Sequence, residues 1–487
     1  MNRAGDEGNE TARPDQIHRL CDEIIVNRPR ASPSLQNFDT EPRPACALVA
    51  TYTKISVKTF FVQSFGCRAS QADGAALEAS LEERGLTAVA NAGSADLLIL
   101  NTCTVTHSAD VDARRVVRGL HRDHPEAQIL VTGCYAQRAP HELAAMDGVT
   151  WVVGNSHKTA IPEIVASASE AYHGQILISD IAAQKQFSAA PVRDVRADRT
   201  RPNLKVQDGC SNRCSFCIIP AVRGRSRSAP LHSVIAQIRD LAESYAEIVL
   251  SGINLGRWGR DLAPGMRFPD LLRAILHETD VQRLRISSVE PMDWSEDLLE
   301  LVAREPRIAK HVHLPLQTGS DAVLKRMFRK YRTRHYASRL EIVRRLMPDA
   351  AIGADVMTGF PGETAAEFDE TLRFIEEQPF TYLHVFTYSE RPGTLAATYG
   401  DPVPMPVRHE RTSLLRNLSD RKNLEFRQCM TGKTLSAVTL QECGFALTTN
   451  FIKVETATVR EPNRIVDLKI GGLRQDGLQE QGVLPIL

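Results

Sequence analysis

Three cysteines, Cys210, Cys214 and Cys217, fall within eight residues in the stretch VQDGCSNRCSFCIIP. Thiolates this close together bind metal, and most all-sulfur sites use four of them. No fourth cysteine is near, and the first histidine downstream, His232, belongs to the next helical run. A zinc knuckle would need that fourth ligand, and three unconnected thiols would need no spacing at all. A four-iron cubane held by three cysteines instead keeps one iron open, and an open iron can grip a small molecule. The Cys-x3-Cys-x2-Cys spacing therefore points to an iron–sulfur cluster whose fourth position belongs to a ligand.

A second trio is dispersed. Cys67, Cys103 and Cys134 each close an apolar run (VKTFFVQSFGC, ADLLILNTC, AQILVTGC) and each precedes a polar loop. Such runs alternate with helical stretches such as GAALEASLEERG, which predicts a parallel, doubly wound sheet. In open sheets of this kind the carboxyl ends of the strands line one crevice, so thiols distant in sequence can share a site there.

The elements that must position the first trio follow. Strand-like runs NLKVQDG, EIVLSG, RLRISSV, HVHLPLQ, AIGADVMTG and YLHVFTY alternate with helical segments, of which Leu231 to Tyr245 shows a clear 3.6-residue period. Six β/α units make most of a barrel, with its chemistry at the C-terminal ends of the strands. Those ends are polar or glycine-rich: SGINLGR, SSVEP, QTGS, TGFPGET and YSERPGT. After residue 427 short alternating runs predict a small antiparallel β-barrel. The fold class is thus α/β, with a mostly disordered extension expected over 1–55 that includes a short helix near Leu20–Val26. A doubly wound domain follows over 56–170, a linker over 171–200, a partial (β/α)6 barrel over 201–426 and a β-barrel over 427–487.

Basic and acidic residues balance at 59 each, so any nucleic-acid surface must come from local clusters. No apolar run approaches the ~18 residues of a membrane span, and MNRAGDEGNETARPDQIHRL lacks the apolar core of an export signal. These features imply a cytoplasmic chain without a membrane partner. Its ten cysteines then read as ligands or free thiols, with Cys21, Cys46, Cys429 and Cys443 as bystanders.

The triplet spacing resembles that of the radical S-adenosylmethionine enzymes. Over about residues 57 to 487 the blocks GC at Cys67, NTCTVT, TGCYAQ, QDGCSNRCSFCIIP, SGINLGRWG, HLPLQTGSD, TGFPGET and YSERPGT resemble the methylthiotransferases. Within them, NTCTVT, TGCYAQ and TNFIKVE are most similar to the branch acting on threonylcarbamoyladenosine at tRNA position 37, beside the anticodon. The chain departs from that branch after Cys67, where RASQADG replaces a more usual Lys-Val-Asn-type run, and at Ala221, where an aromatic is usual.

The resemblance implies two [4Fe–4S] clusters, one on Cys210, Cys214 and Cys217 and one on Cys67, Cys103 and Cys134. It implies that S-adenosylmethionine chelates the open iron of the first, with contacts from Phe216, Gly252, Asn254, Ser288, Glu290, Asp355 and Gly359. It also implies a TRAM-like C-terminal barrel, a tRNA substrate, a flavodoxin- or ferredoxin-like electron donor and an unspecified sulfur donor. C2 of adenine is an unactivated C–H position that acid–base side chains cannot replace with sulfur, so a radical cofactor is required. Isopentenyladenosine, a ribosomal-protein aspartate, or a non-catalytic iron–sulfur RNA-binding protein are the alternatives. For RNA contact, VRGRSRS (Arg223, Arg225, Arg227) and Lys453 are the expected phosphate ligands. The run KRMFRKYRTRHY reads instead as a solvated helix face.

Overall fold

The computed structural model describes residues 53–54, 57–167, 170–171, 173–187, 200–262 and 266–482. The extension expected over 1–55, with Cys21 and Cys46, lies outside the described residues save Thr53 and Lys54.

The first domain is a six-stranded, wholly parallel sheet. Its strands are β1 (Thr59–Ser64), β2 (Thr87–Ala88), β3 (Leu97–Thr102), β4 (Gln128–Gly133), β5 (Val149–Gly154) and β6 (Gln175–Leu177). They lie in the order β2-β1-β3-β4-β5-β6. Strands β3 and β5 are buried on both faces, which explains their unbroken apolar runs. Helices α1 (Arg68–Glu83), α2 (His107–Asp123), α3 (Cys134–Arg138), α4 (Pro140–Ala144) and α5 (Ile161–Ser167) complete the two layers. Strand β6 corrects the linker expected over 171–200: Gln175–Leu177 pairs in parallel with Trp151–Val153 and finishes the sheet. Three residues are too few for periodicity to reveal a strand. Residues 188–199 lie outside the described residues.

The second domain is the partial barrel. Its parallel strands are β7 (Asn203–Asp208), β9 (Glu247–Gly252), β10 (Arg283–Ile286), β11 (His311–His313), β12 (Ala351–Thr358) and β13 (Tyr382–Thr387), with a short antiparallel β8 (Arg227–Ser228) beside β7. Single parallel bridges, Leu284 to Ile308 and Ser288 to His313, join the two halves, and the wall stays open between β7 and β13. On the outside pack α7 (Leu231–Ser244), α8 (Phe268–Glu278), α9 (Glu296–Arg304), α11 (Thr333–Leu346), α12 (Ala365–Glu377) and α13 (Met405–Gln428), while α6 (Ile219–Arg223) and α10 (Asp321–Arg326) are short. Leu204, Val206, Ile248 and Leu250 join the outer core with Val234, Ile235 and Ile238 of α7. Strand alternation then turns Asn203, Lys205, Glu247 and Val249 toward the lumen.

Helix α1 lies against this inner edge. Asn203 Nδ2 donates to the Arg68 carbonyl at 2.6 Å, and Lys205 pairs with Asp73. At the other edge the His107 amide donates to Ser389 Oγ at 2.9 Å. The first domain thereby covers the gap in the barrel wall.

Strands β14 (Thr434–Thr439), β15 (Phe445–Thr448), β16 (Lys453–Glu455), β17 (Ile465–Arg474) and β18 (Gly477–Glu480) form a closed barrel in the order β14-β15-β16-β18-β17. It sits beneath the larger barrel, at the end where its strands begin. Arg285 donates to the Thr448 and Thr449 carbonyls at 3.0 and 3.1 Å, and Phe451 stacks on His311 with centroids 4.7 Å apart.

Candidate metal centre

The topology places the dispersed cysteines as a neighbouring set. Strands β1, β3 and β4 are adjacent, and Cys67, Cys103 and Cys134 follow their carboxyl ends at the point where strand order reverses. Gly66 makes the approach possible: with φ at 95°, a Cβ there would lie 2.5 Å from that of Cys103. Cys103 and Cys134 are buried and Cys67 is exposed. Burial, with the neighbouring Cys134 and Cys67, pushes the Cys103 thiol up to about 11.

The other triplet occupies the loop after β7. Burial and the adjacent Cys214 push Cys217 up to about 12, and burial also raises Cys210. Cys103, Cys210 and Cys217 on their own therefore favour the protonated thiol, whereas a polycationic iron cluster favours thiolates and releases their protons on binding. Among the described residues, no three His, Cys, Asp or Glu side chains are grouped as a single metal ion would require.

Around Cys210 the SGIN turn is in place: Asn254 Nδ2 is 3.5 Å from Cys210 Sγ, and its amide donates to Gln207 Oε1 at 2.6 Å. Asn254 Oδ1 is buried with no hydrogen-bond partner, an orphan acceptor that a ligand ammonium could satisfy. Glu290 pairs with Arg329, whose Nη1 lies 3.3 Å from Cys214 Sγ. Gly252 closes β9 against Gln207, and Ser288 bridges to His313. Asp355 faces His313 Nε2 at 3.5 Å, and burial lifts its carboxyl to about 6. Phe216 packs on Val323, Met327 and Phe360. Gly359 serves its turn: its φ is 73°, its amide donates to Glu363 Oε2 at 2.7 Å, and a Cβ would meet Arg408 at 2.3 Å.

Two expectations about charge are corrected. Arg223 and Arg227 were expected to reach RNA phosphates, but both are buried. Arg223 donates to Asp208 Oδ1 at 2.9 Å, Asp73 Oδ2 at 3.0 Å and Ser70 Oγ at 3.2 Å. Burial opposes its charge, yet Cys134, Asp208, Asp73 and Cys67 outweigh it and hold the guanidinium cationic. Arg227 donates to the Arg223 carbonyl at 2.8 Å. A basic run after a cluster loop reads as a phosphate site only when its partner carboxylates, here on α1 and β7, are invisible. Arg225 remains exposed, and Lys453 pairs with Glu442 at 2.7 Å while keeping some exposure. The run KRMFRKYRTRHY is not one solvated helix either, because Arg329 turns inward to Glu290 and Cys214.

Sequence reasoning also missed Arg391 and Asn155. Arg391, inside the YSERPGT block, donates to Asp110 Oδ2 at 2.7 Å and to the Thr104 carbonyl at 3.1 Å, fixing the loop after Cys103. Asn155 Nδ2 lies 3.6 Å from Cys134 Sγ and donates to the Val222 carbonyl at 2.8 Å. The two triplets are thus held across one interface by residues of both domains.

Comparison with known proteins agrees with this architecture. Residues 59–154 match the uncharacterized protein family UPF0004, and residues 204–375 match the radical SAM superfamily. The threonylcarbamoyladenosine tRNA methylthiotransferase MtaB of Aquifex aeolicus is 34% identical over 84% of this chain and 99% of its own length. Its namesake from Bacillus subtilis is 39% identical over 76% of this chain and 82% of its own. The tRNA-2-methylthio-N(6)-dimethylallyladenosine synthase of Novosphingobium aromaticivorans is 34% identical over 78% and 86%. Among solved structures, the radical S-adenosylmethionine methyltransferase TsrM of Kitasatospora setae shares the fold. It has a TM-score of 0.53 and 14% identity over 70% of this chain and 77% of that one.

Proposed function

This chain belongs to the radical SAM tRNA methylthiotransferases, and from that premise we propose that it adds a methylthio group to C2 of threonylcarbamoyladenosine beside the tRNA anticodon. Its cofactors are S-adenosylmethionine and two [4Fe–4S] clusters. One observation carries the reading: two three-thiol sets, one at the strand ends of each domain, are bound to a common interface by Arg223 and Arg391.

When bound, these groups supply the carbon-centred radical and the transferable sulfur that no side chain provides. The chain's own work is to hold and orient. Cys210, Cys214 and Cys217 would ligate one cluster and Cys67, Cys103 and Cys134 the other. Asn254 offers its orphan carbonyl to the methionine amine of S-adenosylmethionine. Gly252, Ser288, Glu290, Asp355 and Phe216 shape the remainder of that pocket, while Gly359 keeps the loop in place. Arg329 pairs with Glu290 and adds positive charge at Cys214. Arg225 and Lys453, the latter on a TRAM-like barrel, take RNA phosphates. A low-potential flavodoxin or ferredoxin supplies electrons. With tRNA as substrate, the enzyme works in the cytoplasm; among the described residues no helix is long and apolar enough to cross a membrane.

The test is anaerobic reconstitution followed by mass spectrometry of tRNA nucleosides. Appearance of the 2-methylthio form of threonylcarbamoyladenosine is expected. Conversion of dimethylallyladenosine instead, or no conversion with both clusters intact, refutes the substrate assignment. Cys67→Ala and Cys214→Ala should each lose about half the iron, by the one-cluster-per-triplet assignment.

A further inference from the structure

The relatives act on adenosines whose N6 substituents differ in chemistry: one carries a carboxylate, the other is a hydrocarbon. A site that distinguishes them needs either a free cation or an apolar pocket. The lumen beside Cys67 has the cation.

Arg68 directly follows Cys67, at the start of α1. Its carbonyl is held by Asn203, while its guanidinium has no acid partner among the described residues. The acids nearby are committed to other cations: Glu247 to Arg285 at 2.7 and 3.0 Å and Arg201 at 3.2 Å, and Glu442 to Lys453 at 2.7 Å. Arg68, Gln71, Thr200, Arg201 and Asn203 line a cavity of about 440 Å³ between α1, the inner edge of β7 and the turn after β14, which adds Glu442 to its rim.

The opposite wall is polar and unsatisfied. His313 is buried, neither ring nitrogen has a hydrogen-bond partner, and the Asp355 carboxylate stands off its Nε2 at 3.5 Å. His311 Nδ1 is likewise unpartnered, and His384 lies beside His313 with ring centroids 5.5 Å apart. The charge of Arg68 reaches all three histidines and lowers their pKa values after burial has done so. A hydrocarbon placed here would leave a cation and several donors unpaired, whereas a carboxylate with hydroxyl and carbamoyl groups would satisfy them.

The chemistry of the purine agrees. C2 and C6 flank N1 of adenine, and the exocyclic bonds at these two carbons diverge. A ring that presents C2 to the thiol triplets therefore directs its N6 substituent away from them, toward the rest of the lumen. Resting on the substrate reading above, we infer that Arg68 pairs with the carboxylate of the threonylcarbamoyl group and that His313 faces the polar atoms of the same group. Arg68 is then the residue that selects this nucleoside over the dimethylallyl one.

An RNA phosphate is the competing anion, and the test separates the two. Reconstituted wild type is assayed on anticodon stem–loops carrying threonylcarbamoyladenosine, its methyl ester, or dimethylallyladenosine. The acid should exceed the ester by about tenfold or more in kcat/KM, chiefly through KM. Arg68→Gln should erase that preference, with iron content and S-adenosylmethionine cleavage unchanged, and Arg68→Lys should restore part of it. Equal use of acid and ester by wild type overturns the inference, as does an Arg68→Gln enzyme that keeps the preference. A phosphate role would weaken all three RNAs alike. If Arg68→Gln fails to load its cluster, the acid–ester comparison in wild type decides alone. Wild type that modifies no threonylcarbamoyl RNA refutes the underlying reading instead.

Discussion

Arg223 on the barrel donates to Asp73 on the first helix of the neighbouring domain at 3.0 Å, and both side chains are buried. Asp73 also receives Lys158 at 3.1 Å and Lys205, and this surplus of cations holds its carboxyl far below the usual range despite burial. Removing Arg223 breaks its buried ion pairing and three buried hydrogen bonds, leaving Lys158 and Lys205 to serve both Asp73 and Asp208. Arg223→Met should therefore destabilise the folded chain by roughly 3–5 kcal/mol, read as a fall in Tm. An unchanged Tm would show that the network contributes nothing to docking.

Arg391 does corresponding work at the other edge. Arg391→Gln loses the bonds to Asp110 and the Thr104 carbonyl, so the loop after Cys103 is no longer fixed against the barrel. Reductive cleavage of S-adenosylmethionine should persist, while methylthio product falls by up to about a hundredfold, the cost of a small misplacement at a reacting centre. Equal loss of both activities would place Arg391 in the barrel's own chemistry.

Arg329 contributes a cation 3.3 Å from Cys214 Sγ. Positive charge near a cluster favours its reduced form, so Arg329→Gln should move the midpoint potential of the barrel cluster to a more negative value. A titration followed by electron paramagnetic resonance reads the shift, with the Cys67 cluster as the internal control. A shift of both clusters together would argue against a local effect.

His313 gives a pH dependence. Burial, with Arg68, pushes its pKa down to about 4 from an ordinary value near 6.5. Because the unfolded chain binds the proton more readily, stability from this group is present above about pH 6.5 and is lost as pH falls toward 4. Asp355, lifted to about 6 by burial, acts in the opposite sense and gains on acidification. His313→Asn should thus be less sensitive than wild type between pH 6.5 and 4. The same acid-induced fall in Tm in both proteins would contradict this.

The strand runs that end in cysteine were legible because strand length, apolar composition and the thiol position coincide in sequence. The six barrel strands were legible for a similar reason, each ending in a distinctive turn. Arg223 shows where such reading stops. Its partners Asp73 and Asp208 come from two domains, and nothing near VRGRSRS announces that carboxylates 150 and 15 residues away will meet it. Arg329 failed the same way: a helix-like basic run hides one inward side chain among outward ones. Strand β6 was missed because three residues carry no period, and the orphan nitrogens of His313 exist only once the lumen closes around them.

The bond between Asp110 and Arg391 spans 281 residues of chain. A growing polypeptide completes the six-stranded sheet long before the ribosome has made its second anchor, so the nascent sheet presents unpaired acids and bare thiols to the medium. Contacts of such long range form late. The loop after Cys103 is therefore tied to the barrel only once its last strand has been made.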